Sequence, residues 1–258
     1  MRFVDYYHRL KSVLGLSFSL AKANFKLRNE GSYLGVLWYL LEPLLMFLII
    51  ILVRANITTE SIENYPIYLL TGLIMFNFFR GATVLSASIM RNNSEFVKSM
   101  NIPKESLVVS NVLQSIFSHI FEIMVLFIFL VFFGNSIKGL FLYPIIFVFF
   151  VFFVLGISFI LSIIGVYIND ISNVWNIITR LLWFATPIFY VLTTKTKIFF
   201  INLFNPMFYF ITGARDFIIS ASFPENFVIF GILGFSFFSF VLGFLIFEKY
   251  KNKIAEEL

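Results

Sequence analysis

The sequence contains no cysteine and only two histidines, His8 and His119. The absence of cysteine excludes disulfide bonds, thiolate metal sites and a cysteine nucleophile. Two histidines are too few for a His-rich metal site. We therefore expect this chain to bind no metal and no cofactor of its own.

Charged residues are also scarce, at 13% of the 258 residues, whereas hydrophobic residues make up 60%. Soluble domains average about 25% charged and roughly 45–50% apolar residues. A water-soluble fold of this length has too little interior for 38 Phe and 11 Tyr, so the apolar excess must face lipid. Hydrocarbon offers the backbone no hydrogen bonds, which limits a membrane-spanning chain to helices or a closed barrel. The apolar runs are continuous instead of alternating, which predicts an all-α integral membrane protein.

Sequence motifs for catalysis are missing. The chain has no G-x-x-x-x-G-K-[ST] loop to cradle phosphates, no G-x-S-x-G, no H-E-x-x-H and no paired-aspartate motif. We therefore expect that it does not hydrolyse ATP by itself. The ionisable residues inside apolar runs form no dense cluster in the sequence, which weighs against an enzyme. They are Glu42, Arg80, His119, Glu122 and Arg180.

Six apolar segments are long enough to cross a bilayer, which takes roughly 20 residues. They are 34–53, 66–90, 107–133, 140–166, 174–193 and 226–247. With residues 1–33 they make a single transmembrane domain. The stretch 194–225 has shorter apolar pieces that are interrupted by Asn205-Pro206 and Gly213. This pattern predicts one or two short re-entrant or interfacial helices between the fifth and sixth spans.

Lys and Arg residues between the spans predict the orientation, since cytoplasmic loops are enriched in both. With the two termini on one side, that side holds twelve of the 19 Lys and Arg residues and the other side holds five. Both termini are therefore expected to be cytoplasmic. The first long apolar run begins near Tyr33, too late for a cleaved signal peptide, so we expect the N-terminus to be retained. Because the cations lie between apolar runs, the net charge of +5 does not indicate nucleic-acid binding.

Residues 9–30 combine a basic and an apolar stripe at helical spacing. The basic stripe includes Lys22 and Lys26, and the apolar stripe includes Leu14 and Phe18. The pattern predicts an amphipathic helix along the cytoplasmic membrane surface. Its role is either that of a simple lipid anchor or a part in gating or assembly.

The segment 91–106 is the longest polar connection between two spans on the cytoplasmic side. Glu95 to Met100 can form a short helix that stops before Pro103. The segment is either an ordinary solvated connection or a docking element for a soluble partner.

Aromatic residues are abundant in and around the predicted spans, among them Trp38, Tyr39, Trp183, Phe184 and Tyr190. Most are expected to face lipid or to form interfacial belts. The alternative is a channel wall for sugars, because the flat C–H face of a sugar ring packs on an aromatic ring while the sugar hydroxyls stay wet.

Five segments, in order along the chain, resemble the permease subunits of bacterial polysaccharide ABC exporters of the O-antigen and teichoic-acid type. GSYLGVLWYLLEPLLMFLIIILV (31–53) is similar to that family's L-G-x-x-W followed by a proline in the first span, and YPIYLLTGLIMFNFF (65–79) is similar to its second span. SMNIPKESLVVSNV (99–112) resembles its coupling segment, and YINDISNVWNIITRLLWFATPIFY (167–190) resembles the loop and fifth span that end in T-P-[IV]-x-Y. FNPMFYFITGARDFI (204–218) resembles its external N-P-[ML] segment.

The resemblance implies a homodimer of six-helix protomers in the bacterial cytoplasmic membrane. Each protomer would pair with a separate subunit that binds ATP and Mg²⁺. The cargo would be a polysaccharide on a polyprenyl diphosphate lipid, moved outward. Three features depart from the family pattern. Asn169 stands where Arg is usual, and Phe76 is the nearest aromatic to a position where Trp is usual. The family's basic R-x-R-x-S entry is replaced by Arg28-Asn29-Glu30-Gly31-Ser32.

Three sets of residues receive roles from this resemblance. Docking to the ATP-binding subunit is assigned to Glu95, Phe96, Lys98, Met100, Pro103, Lys104, Asn169, Asp170 and Ile171. A hydrophilic polymer needs a wet path between the protomers, and its wall is assigned to Trp38, Tyr39, Trp183, Phe184 and Tyr190. The entrance for the lipid diphosphate is assigned to Lys22, Lys26 and Arg28.

Two other interpretations share some of these features. An ABC export permease for a drug or a small lipid would have the same fold and a different cargo. A polytopic membrane enzyme acting on lipid-linked sugars would work without an ATP-hydrolysing partner and would depend on Glu42, Arg80 or Glu122. Among polysaccharides, the sequence leaves O-antigen, teichoic acid and capsule open.

Overall fold

The computed structural model describes residues 2–30, 32–57, 64–100, 102–192 and 197–258, with the side chains of 2–8, 57, 197 and 198 excepted. These residues form helices and connections and contain no strand. The helices are α1 (Arg2–Asn29), α2 (Trp38–Ile57), α3 (Tyr65–Ser86), α4 (Ile89–Asn92), α5 (Ser94–Ser99), α6 (Glu105–Phe132), α7 (Tyr143–Tyr167), α8 (Ile171–Ala185), α9 (Lys197–Asn202), α10 (Pro206–Ser220), α11 (Asn226–Tyr250) and α12 (Ile254–Glu257). The predicted all-α fold is confirmed.

Five helices in the described part of the chain are long and apolar enough to cross a membrane, namely α2, α3, α6, α7 and α11. They correspond to the first four predicted spans and to the sixth. Pro66 and Pro144 stand in the first turns of α3 and α7, where a missing N–H leaves no helical hydrogen bond unmade.

The fifth predicted span, 174–193, extends beyond the helix that the structure contains there. α8 stops at Ala185, and its 15 residues correspond to about 22 Å, less than the roughly 30 Å of a hydrocarbon core. Pro187 explains the stop, because a proline pushes the residue before it into extended conformation, and Thr186 has a ψ of 138°. The chain continues through residues 186–192 without helix. The total of six spans therefore stays a prediction.

The short helices predicted between the fifth and sixth spans are present. α9 has 6 residues and α10 has 15 residues. α10 begins at Pro206, and the side chain of Asn205 caps it by accepting a hydrogen bond from the Met207 N–H at 3.0 Å. α10 is buried against α3, α7 and α11, so it belongs to the core of the helix bundle.

The central helix of the bundle is α3. Its most apolar stretch is 72% buried, whereas that of α2 is only 6% buried. α3 contacts α2, α6, α7, α8 and α10. Its Phe76 and Phe79 belong to a core that also contains Phe150 and Phe210. A side of α2 therefore remains uncovered within one copy of the chain.

Small residues bring α7 and α11 together. A Cβ atom on Gly243 would lie 2.2 Å from the carbonyl oxygen of Gly156, so only glycine permits this approach. Ser236 and Ser239 donate hydrogen bonds across the same contact, to the carbonyl oxygens of Phe149 at 2.8 Å and Phe153 at 2.9 Å. Close approach at small residues is the usual way in which helices associate in lipid.

The predicted N-terminal helix is confirmed as α1, and part of its apolar stripe contacts α6. Ser17 and Ala21 are buried against α6, and Ser17 Oγ lies 3.3 Å from the carbonyl oxygen of Ser106. Leu14 and Phe18 are 52% and 55% exposed. The ring of Phe18 nevertheless packs edge-on against Phe117 of α6, with 5.9 Å between ring centroids. α1 therefore docks on α6 through small residues and phenylalanine, and the rest of its apolar stripe stays partly exposed.

The beginning of α1 and the end of α11 lie at the same end of the bundle, which we call the terminal end. There Glu105 of α6 pairs with Arg9 of α1, and Lys251 Nζ lies 3.1 Å from Glu105 and 2.6 Å from Glu248. These contacts join α1, α6 and the end of α11. The opposite, distal end holds α9, α10 and the turn Ile137–Phe141.

Candidate functional site

An open cavity of about 610 Å³ lies between α2, α3 and α8, and we refer to it as the aromatic groove. Its lining consists of Trp38, Glu42, Leu45, Met46, Leu73, Phe76, Asn77, Arg80, Thr179, Arg180, Trp183 and Phe184. The groove combines aromatic side chains with several polar ones, and it lies on the side of α2 that the rest of the chain leaves uncovered.

Three of the five predicted wall residues meet in the aromatic groove: Trp38, Trp183 and Phe184. Phe184 packs edge-on against Trp183, with ring centroids 4.8 Å apart. Tyr39 lines a neighbouring cavity instead. Tyr190 lies beyond the end of α8, where its hydroxyl donates to the Ala185 carbonyl at 2.8 Å, and it does not line the groove. That these residues form a channel wall stays a prediction.

The neighbouring cavity of about 240 Å³ is bounded by α2, α3, α6 and α8, and we refer to it as the polar chamber. It shares Glu42, Asn77 and Arg80 with the aromatic groove. Arg80 Nη1 lies 3.8 Å from Glu42 Oε1 at this boundary. The groove and the chamber are therefore adjoining parts of one polar region.

Buried ionisable residues form one wall of the polar chamber. His119 Nδ1 lies 2.7 Å from Glu122 Oε2, and its Nε2 lies 2.6 Å from the hydroxyl of Tyr143. The Tyr143 hydroxyl in turn lies 3.0 Å from Met75 Sδ. The imidazole stacks on Phe147 at 4.6 Å between ring centroids. His119 is therefore fixed by its neighbours, and it in turn holds the Glu122 side chain in one orientation.

Sequence separation concealed this grouping. Glu42, Arg80, His119 and Glu122 come from three helices and line the same chamber, although they form no dense cluster in the sequence. Among the described residues no group of three or more His, Asp or Glu side chains is placed to hold a metal ion.

Of the three residues predicted at the entrance for the lipid diphosphate, only Arg28 lies at a cavity. Its guanidinium sits 5.2 Å from the ring centroid of Tyr39 and lines the polar chamber. Lys26 pairs with Glu30 at 3.4 Å, and Lys22 is exposed on α1. The two lysines lie on the surface of α1 and outside the chamber lining.

The break after α8 is held by side chains from other helices. Arg215 of α10 donates to the carbonyl oxygens of Tyr68 at 3.1 Å, Pro187 at 2.7 Å and Ile188 at 2.8 Å. Its guanidinium also covers the ring of Tyr68 at 3.4 Å. The Tyr65 and Tyr68 hydroxyls donate to the carbonyl oxygens of Phe189 and Tyr190.

Sequence analysis missed this role of Arg215, although a lone cation in an apolar short helix was a signal. The side chain is 6% exposed and supplies the hydrogen bonds that a continued helix would have supplied. Burial raises the pKa of the adjacent Asp216 to about 6; Glu225 adds to this rise and Arg215 opposes it.

The predicted docking residues lie at the terminal end. α5 is anchored by Val97, which is 4% exposed, whereas Glu95, Phe96, Lys98 and Met100 are exposed. Arg91 Nη2 donates to the Val166 carbonyl at 3.0 Å and joins this segment to the turn before α8. Asn169 and Asp170 are exposed in that turn, and Ile171 is half-buried. The two segments predicted for docking are therefore neighbours, on either side of a cleft lined by Arg91, Ser94 and Asn169.

Pro103 and Lys104 are half-buried, as is Ile171 among the predicted docking residues. The Lys104 ammonium donates to the Lys251 carbonyl at 2.8 Å, at the C-terminal end of α11, where a cation is favourable. Burial lowers the pKa of Lys104, and the neighbouring Glu105 opposes this shift. The Lys104 side chain therefore holds the terminal end together within the chain, and a docking contact for it stays a prediction.

Comparisons with known proteins agree with the helical membrane fold. The family described as ABC-2 type transporter matches residues 16–219. A protein named O-antigen export system permease protein RfbA, from Klebsiella pneumoniae, is 28% identical over 258 residues, which cover 97% of this chain and 99% of that protein. A protein of the same name from Myxococcus xanthus is 23% identical over 248 residues, which cover 95% of each chain.

Replacing Arg215 tests whether its hydrogen bonds hold the non-helical segment after α8, an arrangement that we call the Arg215 clamp. Arg215→Met would leave the carbonyl oxygens of Tyr68, Pro187 and Ile188 without this donor, and we expect it to destabilise the folded chain by at least about 2 kcal/mol. The measurement is thermal denaturation in detergent. Lys138→Met, which removes an exposed cation at the distal end, is the control and should leave the midpoint unchanged. Equal midpoints for the two variants would contradict the clamp.

Proposed function

The chain belongs to the ABC-2 type transporter family, and on this premise we propose that it is the membrane subunit of an ATP-driven exporter that moves lipid-linked polysaccharide outward across the bacterial cytoplasmic membrane. The aromatic groove carries this proposal, in a chain that matches O-antigen export permeases along nearly its whole length. On this proposal both termini are cytoplasmic, and the terminal end faces the cytoplasm.

Two copies of the chain would close the groove into a channel. α2 and α8 leave large apolar side chains uncovered, including Ile49, Leu52, Ile177 and Leu181, each more than half exposed. Between them the groove presents Glu42, Arg80 and Arg180, and ionisable groups facing hydrocarbon cost roughly 2.5–3.5 kcal/mol each. A second copy facing the groove would enclose these groups in water and cover the apolar rims. A two-fold dimer is also the commonest arrangement of protein oligomers.

The groove suits a sugar polymer. Trp38, Trp183 and Phe184 present flat apolar faces on which sugar rings pack, and Arg80 and Asn77 offer hydrogen bonds to hydroxyls. Stacking of this kind follows ring shape more than the identity of each sugar. It therefore suits a polymer that must slide past the wall without being held at one position.

The docking segments are joined directly to the helices of the groove. α5 follows α4, which follows α3, and the turn with Asn169 and Asp170 leads into α8. We place a separate ATP-binding subunit, carrying ATP and Mg²⁺, against these two segments. Closure of two such subunits on ATP would move α5 and the start of α8, and with them two of the three walls of the groove.

The membrane-enzyme interpretation keeps one observation in its favour, the grouping of Glu42, Arg80 and Glu122 in the polar chamber. It requires a reaction without an ATP-hydrolysing partner, whereas the family is a transporter family and this subunit carries no nucleotide motif. A permease for a drug or a small lipid differs only in cargo, and the similarity to O-antigen permeases favours polysaccharide.

Purification from native membranes tests the partner. We expect an ATP-binding subunit to co-purify with the chain and to hydrolyse ATP. Phe96→Ala combined with Met100→Ala removes two exposed apolar contacts from α5, and we expect it to weaken the association about tenfold or more. Phe223→Ala, an exposed Phe at the distal end, serves as the control. A chain that purifies alone would contradict the exporter and favour the membrane enzyme.

Truncation of the groove aromatics tests the channel wall. We expect Trp38→Ala combined with Trp183→Ala to lower the export of polysaccharide to the cell surface by roughly tenfold, because two stacking faces are lost. Phe237→Ala on α11, 73% exposed and outside the groove, should leave export unchanged. Normal export by the double variant at normal protein level would refute a wall role for these residues.

A further inference from the structure

The polar chamber is too small for the polymer that the groove would carry. Its volume is about 240 Å³, below the roughly 300–1,000 Å³ of pockets that enclose drug-sized ligands. It has room for one ring-sized polar group. A ligand there would lie beside the groove, because Glu42, Asn77 and Arg80 line both cavities.

Its lining matches an uncharged polyhydroxyl group better than a multiply charged anion. Arg80 faces Glu42 at 3.8 Å, so these two charges are paired, and the Glu122 side chain is hydrogen-bonded to His119. Asn77, Ser115, Ser118 and Asn176 add amide and hydroxyl groups that both donate and accept hydrogen bonds. Arg28 is the remaining cation of the lining and stands at its α1 side, where one phosphate group could neighbour the ring.

Glu122 is positioned for a ligand. His119 holds one of its oxygens at 2.7 Å, and the imidazole is itself held by Tyr143 and by stacking on Phe147. Asn77 is a second hydrogen-bond partner of Glu122. Because a carboxyl group forms several hydrogen bonds, Glu122 retains capacity for a further one toward the chamber that it lines. A side chain fixed by its neighbours in this way loses little entropy on binding.

Two buried polar atoms of the lining lack a hydrogen-bond partner among the described residues, Tyr39 Oη and Asn176 Oδ1. Only two further side-chain atoms of the described part of the chain share this state, Asn135 Nδ2 and Ser158 Oγ. An unpaired buried polar atom costs roughly 1–3 kcal/mol, and such atoms usually meet a ligand or water. Their concentration in the polar chamber indicates a site that is completed by a bound polar group.

We infer that the polar chamber binds one sugar residue of the lipid-linked glycan, with Glu122 and Asn176 on its hydroxyls and Arg28 next to its phosphate. This inference rests on the proposed export function and adds to it a site that selects lipids carrying sugar before the polymer enters the groove.

Binding to the assembled complex in lipid nanodiscs tests the site. The probes are a polyprenyl diphosphate bearing one N-acetylhexosamine and the same lipid without sugar. We expect the native complex to bind the sugar-bearing lipid about tenfold more tightly, the contribution of one or two hydrogen bonds to a charged group. Glu122→Gln should remove most of this preference.

A variant that fills the chamber tests the site independently of Glu122→Gln, whose buried substitution could disturb the fold. Gly81 lines the chamber, and a Cβ atom added there meets no atom within 4 Å, so Gly81→Leu should fill the chamber without displacing the helices. Gly234→Leu, on α11 with the same open surroundings, is the matched control. We expect Gly81→Leu to abolish the preference for sugar and Gly234→Leu to retain it.

The outcomes separate this inference from the proposed function. Equal binding of both lipids by the native complex, or a preference that survives in Gly81→Leu, would overturn the sugar site and leave export standing. A chain without an ATP-binding partner that binds neither lipid would overturn both. Binding of the sugar-bearing lipid followed by its chemical conversion without ATP would support the membrane enzyme and refute export.

Discussion

Hydrocarbon offers no hydrogen bonds, and the need to pair every polar group within the protein shapes most of this structure. α8 stops at Ala185, and the carbonyl oxygens that follow have no helical hydrogen bonds. Arg215, Tyr65 and Tyr68 from other helices donate hydrogen bonds to them instead. Without those donors the non-helical segment after α8 would have to leave the apolar core or become helix. The buried Arg215 therefore determines where α8, α3 and α10 meet.

The central position of α3 follows from the same constraint and connects the parts of the site. At its distal end, the Tyr68 carbonyl accepts a hydrogen bond from Arg215. Its middle supplies Asn77 and Arg80 to both cavities and Phe76 to the groove. Its terminal end leads through α4 into α5. α8 has a similar layout, with the turn predicted for docking at its start and Trp183 and Phe184 near its end. In the proposed exporter, movements at the terminal end would reach the groove through α3 and α8.

Sequence patterns identified what depends on local properties. Long apolar runs located five spanning helices, and Asn205-Pro206 located the start of α10, because these signals act within one segment. The gathering of Glu42, Arg80, His119 and Glu122 in one chamber depends on how α2, α3 and α6 pack, which periodicity does not encode. The end of α8 was misplaced because residues 186–192 are as apolar as a helix, and only the partners of their carbonyl oxygens reveal the break.

The central claim is that the aromatic groove is a water-filled path between two copies of the chain, although it lies at membrane depth. Since the chain has no cysteine, a single introduced thiol reports its own surroundings. The most direct measurement is the reaction of Met46→Cys, in the groove, and Phe237→Cys, on the outer side of α11, with a membrane-impermeant maleimide in the assembled complex. A wet groove predicts rapid labelling of the first thiol and slow labelling of the second, whereas slow labelling of both during ATP hydrolysis would contradict it.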